Sequence, residues 1–245
     1  MATTGKRLLN RLYAQTVARA PLTSADLAAL GVSADLAVHY VRAGWLKRLA
    51  RGVFVRTGEE PELHPSLRLL ERVIPGFHVG GKTALNWYGV RHYVAQQELL
   101  HLYGSVAVKL PEWFTERFPA EYHRKRVFSE PPEKPLHVAP FEERADGPQV
   151  SAPERAMLEL LSEVGVRQPL QEAKEIMESA FNLRADVLRE LLKRCTSVKT
   201  VRLCLQLGRE SSLPWAQKLN PTELPTGSAR PWVARSADGL LVLKP

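Results

Sequence analysis

Apolar positions near the start of the chain recur at helical spacing. Leu8, Leu9, Leu12, Tyr13 and Val17 fall on one stripe, which predicts a helix over residues 6–20 that Pro21 stops. Thr23-Ser24-Ala25-Asp26 is a helix start, a hydroxyl cap with a carboxylate three residues on. A short helix through Leu27 and Leu30 follows and ends at Gly31, which takes a left-handed C-terminal conformation cheaply. Ser33 then caps a third helix over 34–43, and Gly44 ends it. Two short helices joined across Gly31, Val32 and Ser33 predict a helix-turn-helix. After Gly44 the period changes. Trp45, Leu46, Leu49, Val53, Phe54 and Val55 are strand formers around a plausible Arg51-Gly52 turn, so residues 45–56 read as a β-hairpin, the wing of a winged helix-turn-helix.

The pattern beyond this unit is mixed. Gly58 to Pro61 reads as a linker. Residues 65–74 read as a helix with Leu67, Leu70, Val73 and Ile74 on one face. Short apolar segments between Val90 and Val108 (Tyr93-Val94, 99–103, 106–108) predict strands of a small antiparallel sheet, and 110–114 a turn into a short helix. The stretches 129–135 and 145–153 are polar and Pro-rich, hence connectors. Ser151-Ala152-Pro153-Glu154 has the form of a capping box opening a helix that buries Met157, Leu160, Leu161 and Val164. Helical pattern continues over 170–181, 185–195 and around 203–205, and Trp232 to Leu243 reads as a terminal hairpin turning at Asp238-Gly239. The expected fold class is α+β: an N-terminal winged helix-turn-helix (1–58), then a mixed α/β domain (59–245) mainly helical in its last third, with a possible sub-boundary near 145–153.

Charge sharpens this division. Residues 1–58 carry nine Lys or Arg and two acids, +7 of the whole chain's +8, while the remaining 187 residues carry 25 basic and 24 acidic side chains. One end is built to meet a polyanion, and for so small a module that points to nucleic acid. The third helix is sized for the major groove, with Leu36 and Tyr40 toward the core and Ser33, Asp35, Val38, His39 and Arg42 left as groove-facing candidates. Lys47, Arg48, Arg51 and Arg56 of the wing would lie along phosphates. About five neutralised phosphates would give a slope of log affinity against log salt near −4 to −5. Asp35 is discordant near phosphates, unless it serves the helix N-terminus or accepts from a cytosine amine.

Candidate chemistry elsewhere is thin. Gly76-Phe-His-Val-Gly-Gly81-Lys82-Thr83 fits G-x-x-x-x-G-K-S/T, the pattern of a phosphate-cradling loop, but the run before it does not read as a strand and the helix after it breaks at Gly89. The reading is coincidence. Seven histidines are scattered without metal-ligand spacing, and Glu172-Ala-Lys174 sits in an amphipathic helix, so no catalytic site, metal or cofactor is expected. The run 123–126 (His-Arg-Lys-Arg) reads as solvated surface. Cys195 and Cys204 lie in helix-like sequence and read as core residues of a reduced, cytoplasmic protein. No apolar run reaches the roughly 18 residues of a membrane span, and the start lacks the apolar stretch of a signal peptide.

Three stretches together carry a family resemblance: 22–27 through Gly44-Trp-Leu-Lys-Arg-Leu-Ala-Arg-Gly-Val-Phe-Val55, then Lys82-Thr-Ala-Leu-Asn-Trp-Tyr-Gly-Val-Arg-His-Tyr93, then Ser151-Ala-Pro-Glu-Arg-Ala-Met-Leu-Glu-Leu161. Over almost its full length the chain resembles the AbiEi antitoxins of bacterial type IV toxin–antitoxin systems. The resemblance implies an autorepressor whose winged helix binds inverted repeats in its own promoter, associated with the nucleoid when so bound. It also implies an antitoxin, without catalysis of its own, that counters a nucleotidyltransferase-like toxin with no stable complex. Two other readings are a ligand-sensing winged-helix transcription factor and a DNA-binding phage-defence enzyme using the segment 76–83.

Overall fold

The computed structural model describes residues 2–90, 99–131, 133–236 and 239–243, and for 2–6 and 234–241 the backbone alone. The first unit runs α1 (Ala2–Gln15), β1 (Leu22–Thr23), α2 (Ser24–Ala29), α3 (Ala34–Arg42), β2 (Leu46–Ala50) and β3 (Val53–Arg56), with an antiparallel sheet in the order β1-β3-β2. The expected local signals act as read. Thr23 accepts from the Asp26 N–H at 3.1 Å while Asp26 accepts from the Thr23 N–H at 2.7 Å, closing the capping box. Gly31 has φ +86° and lets the Val32 N–H reach back to the Leu27 carbonyl, so α2 turns sharply into the Ser33-capped α3. Leu12, Leu27, Val32, Ala37, Tyr40, Leu46 and Phe54 form the core of this unit.

Two departures have a common cause. The first helix stops at Gln15 rather than running to Ala20, and Val17 lies exposed beyond it. Its end is closed by Arg56 of β3, whose guanidinium donates to the Tyr13 carbonyl at 2.8 Å and to the carbonyl and hydroxyl of Thr16 at 2.5 and 2.6 Å. A cation there satisfies carbonyls that have no partner within the helix and complements its dipole. The freed segment supplies β1, a two-residue strand unexpected from sequence, paired to β3 through Leu22 and Phe54.

The rest of the chain runs α4 (Leu63–Val73), β4 (His78–Val79), α5 (Gly81–Trp87), β5 (Leu100–Gly104), α6 (Glu112–Thr115), β6 (Ala120–Arg124), β7 (Val138–Pro140), β8 (Gln149–Ser151), α7 (Pro153–Glu163), α8 (Leu170–Glu178), α9 (Ala185–Lys193), α10 (Val198–Glu210), β9 (Trp232–Ser236) and β10 (Gly239–Leu243). A five-stranded mixed sheet has the order β6-β5-β4-β8-β7, parallel at β5–β6 and β4–β8. The fold is α+β, with its last third mainly helical before the β9–β10 hairpin. The antiparallel sheet expected within 90–108 reduces to β5, whose partners lie elsewhere. Val106 and Val108 are exposed outside any strand, and Tyr93-Val94 falls outside the described residues. The connector expected over 145–153 holds β8 at the sheet interior. The expected capping box at Ser151 does not form. Ser151 Oγ donates to Glu159, and Glu154 accepts from the Arg184 backbone and guanidinium, since both residues are buried, Ser151 at the end of β8 and Glu154 in the first turn of α7.

The loop-like segment 76–83 is accounted for in full by internal bonds. His78 and Val79 are strand residues paired to β5 and β8, so the backbone between the two motif glycines cannot wrap around a phosphate. The Gly81 N–H, at the start of α5, donates to Glu159 Oε2 at 3.0 Å, and an anion site is thereby filled with a carboxylate. Lys82 pairs with Glu172, and the Thr83 hydroxyl accepts from the His101 N–H at 2.8 Å. ATP or GTP with magnesium is therefore expected to leave the thermal midpoint of the protein unchanged. A nucleotide-dependent rise lost in Lys82→Ala would reverse this conclusion.

Candidate nucleic-acid interface

Helix α3 presents Asp35, Val38, His39 and Arg42 at spacings of three and four, away from the buried Ala37 and Tyr40. His39 and Arg42 are exposed, Val38 half-buried. Ser33 is exposed, and its oxygen accepts from the Leu36 N–H at 3.3 Å, which leaves its O–H proton and one lone pair for a partner. Asp35 sits in the first turn, where a carboxylate complements the helix dipole. Gly44, at φ +75°, carries the chain from α3 into β2, the edge strand on which Lys47 and Arg48 are both exposed. Arg48 lies over the Phe54 ring at 5.7 Å, and Arg51 sits at the β2–β3 turn beside Gly52 (φ +76°). The Gly52 carbonyl accepts from the Ser24 N–H at 2.9 Å, tying the β2–β3 turn to the start of α2.

The eight candidates separate by what holds them. Among the described residues, Arg42, Arg48 and Arg51 form no ion pair. Lys47 meets Glu60 at 2.9 Å, and Glu60 is itself held below the usual carboxylate range by hydrogen bonding and attraction to Lys47, with a smaller contribution from Arg117. Arg56 is 7 % exposed, stacks over Tyr13 at 4.7 Å and faces Glu59 at 3.5 Å. It is a structural cation, and its expected place on phosphates is corrected. Its long side chain reaches back across the unit to α1, a contact that no local pattern encodes.

Sequence reasoning also missed the neutralising residues. Glu59, Glu60 and Glu62 follow directly on the basic unit and fold back onto Arg19, Lys47 and Arg56. Counted through residue 62, nine basic and five acidic residues leave +4, where the count through 58 left +7. Asp26 of α2 is bonded to Arg72 of α4 through both carboxylate oxygens, at 2.7 and 2.9 Å, which holds its pKa down at about 2. The signal was present as the acidic run at 59–62, but it read as a linker.

Residues 97–244 match the family described as transcriptional regulator and AbiEi antitoxin of a type IV toxin–antitoxin system, and residues 5–96 match that family's N-terminal domain. The chain belongs to the AbiEi antitoxin family. AbiEi proteins are described as transcriptional regulators and antitoxins. Among solved structures, this AbiEi chain is similar to the crystal structure of the RV2827C protein from Mycobacterium tuberculosis, with a TM-score of 0.61 and 17% identity over 95% of this chain and 89% of that one. At that identity the likeness is one of fold. A search of curated proteins returns no match. No helix among the described residues is long and apolar enough to cross a membrane.

Proposed function

We propose that this AbiEi protein binds inverted repeats in its own promoter through residues 1–58 and represses the operon, while residues 59–245 counter a nucleotidyltransferase-like toxin without forming a stable complex with it. The protein would act in the cytoplasm, on the nucleoid when bound to DNA. In this reading α3 enters the major groove with Val38, His39, Arg42 and the Ser33 hydroxyl, and Arg48 and Arg51 of the wing lie on phosphates. The observation that carries it is the set of three arginines, Arg42, Arg48 and Arg51, exposed and free of ion pairs among the described residues beside a capped helix. Lys47 joins them only when Glu60 is displaced. Two permanent phosphate contacts, Arg48 and Arg51, predict a slope of log affinity against log salt near −2, shallower than the whole basic count implies. Fluorescence anisotropy of a labelled promoter duplex across a salt series measures it, and an affinity independent of salt would overturn the proposal.

Glu60→Gln provides a gain-of-binding test. Removing that carboxylate releases Lys47, so promoter affinity is expected to rise by a few-fold and the salt slope to steepen by about one unit. A second reading, ligand sensing, is favoured by one feature. A groove of about 980 Å³ separates Thr16, Val17 and Leu30 from Leu63, Arg68 and Phe141, where the first unit meets the remainder. A small molecule retained there in native mass spectrometry, and altering operator affinity, would support it.

A further inference from the structure

The scattered histidines do not stay scattered. Strands β5 and β6 run parallel with His101 opposite Glu121 and Tyr103 opposite His123, and alternation along each strand puts all four side chains on one face of the sheet. His101 Nδ1 lies 3.0 Å from His123 Nε2, and Glu121 Oε2 lies 3.9 Å from the same Nε2. The donor atoms of His101, Glu121 and His123 all fall within 4.8 Å of one another. Two nitrogens on a tetrahedral zinc ion, each about 2.1 Å from it, stand roughly 3.4 Å apart, close to what this pair already holds. We propose that His101, His123 and Glu121 form a binding site for a first-row divalent cation of the zinc class, which Arg167 holds in its unligated arrangement by pairing with Glu121 and with Nδ1 of His123.

The arginine is the telling part. Its Nε meets Glu121 Oε1 at 3.0 Å and its Nη1 meets His123 Nδ1 at 3.2 Å, so one guanidinium bridges two of the three ligands. Arginine only donates, so His123 Nδ1 accepts, and its proton sits on Nε2, donated to His101 Nδ1. Entry of the ion moves the His123 proton from Nε2 to Nδ1, frees Nε2 for the metal and leaves the imidazole neutral. Glu163 Oε1, 4.0 Å from that Nδ1, is placed to accept the new N–H, the carboxylate support that metal-bound histidines commonly have. Arg167 follows α7 in an exposed turn with its side chain half exposed, so its departure disturbs no core packing. A void of about 10 Å³ beside His101, His123, Lys82, Glu163 and Arg167 has room for about one water next to the two imidazoles. Imidazole nitrogens with one carboxylate select zinc, cobalt or nickel over magnesium or calcium.

The test uses the full chain after chelator treatment, titrated with zinc chloride and, separately, magnesium chloride by calorimetry, with cobalt absorption reporting the ligand geometry. Zinc is expected to bind at one site and magnesium not at all. His101→Asn is expected to abolish binding, and Arg167→Gln, a surface change that leaves folding intact, to tighten it by about tenfold, the scale of effects next to a metal's ligands. No zinc binding, binding that survives His101→Asn, or binding that Arg167→Gln weakens would each overturn the assignment. Circular dichroism of each variant separates lost ligation from lost fold.

Discussion

Glu159→Ala is expected to destabilise the protein by about 3–5 kcal/mol, the range for breaking a buried ion pair on one side. Glu159 lies on the enclosed helix α7 and accepts four bonds: from Arg155 Nε at 2.7 Å, His78 Nε2 at 3.0 Å, Ser151 Oγ at 2.9 Å and the Gly81 N–H at 3.0 Å. Removing it leaves the Nε of Arg155, the His78 ring and a helix N-terminus without their acceptor in the interior, while the other two nitrogens of Arg155 keep Glu130 at 2.9 and 2.8 Å. The carboxylate is opposed by burial but held down by attraction to Arg155 and His78 and by the bonds from His78 and Gly81, with its pKa lowered from 4.5 to about 2. A depressed carboxylate stabilises the fold in full above its unfolded value and loses that contribution as pH falls. The wild type is therefore expected to lose on the order of 3 kcal/mol between about pH 4.5 and 2 through this group. Urea unfolding across that range checks both statements: Glu159→Ala should start lower and show a flatter acid limb. An unchanged limb would mean that other carboxylates carry the acid sensitivity.

The second large effect concerns DNA. Replacing Arg42, Arg48 and Arg51 together with alanine is expected to weaken promoter binding by roughly 100-fold, at about 1 kcal/mol for each contact, and to remove most of the salt dependence while leaving the thermal midpoint unchanged. Arg56→Ala is expected to do the opposite in kind. It withdraws four bonds from the end of α1 and one stacked cation from Tyr13, so the first unit should lose about 2–3 kcal/mol. Any loss of DNA binding should then track unfolding and recover at low temperature. Anisotropy paired with thermal melts separates the two, and a triple variant that retains full salt-dependent affinity would remove these arginines from the interface.

Much of the first unit was legible because its signals are local. The Thr23–Asp26 box, Gly31, Ser33 and Gly44 each act within four residues, and all take their expected places. The same holds for the β2–β3 hairpin, which needs only strand formers around Arg51-Gly52. Signals of the same form failed where burial intervened. Ser151 and Glu154 have the spacing of a capping box, yet each finds a stronger inward partner, Glu159 and Arg184. The phosphate-loop pattern at 76–83 failed for a similar reason, with a strand in its middle and Glu159 on its helix start.

The fate of each charge was not legible at all. Arg48 and Arg56 look alike in the chain, but one lies on an exposed edge strand and the other closes a helix forty residues earlier. Lys47 and Glu60 are thirteen residues apart, and their pairing depends on how the chain leaves the wing. His101, Glu121 and His123 come together only through the register of two strands, which nothing local specifies. The sequence by itself determined the two short helices α2 and α3 with their tight turn, the β2–β3 hairpin, the helical last third and the excess of cations at one end, because caps, glycines and periodicity act over a single turn or strand. Only the tertiary structure decided which cations stay free for a partner and which side chains share a face, because desolvation and ion pairing depend on distance in space and not on separation along the chain.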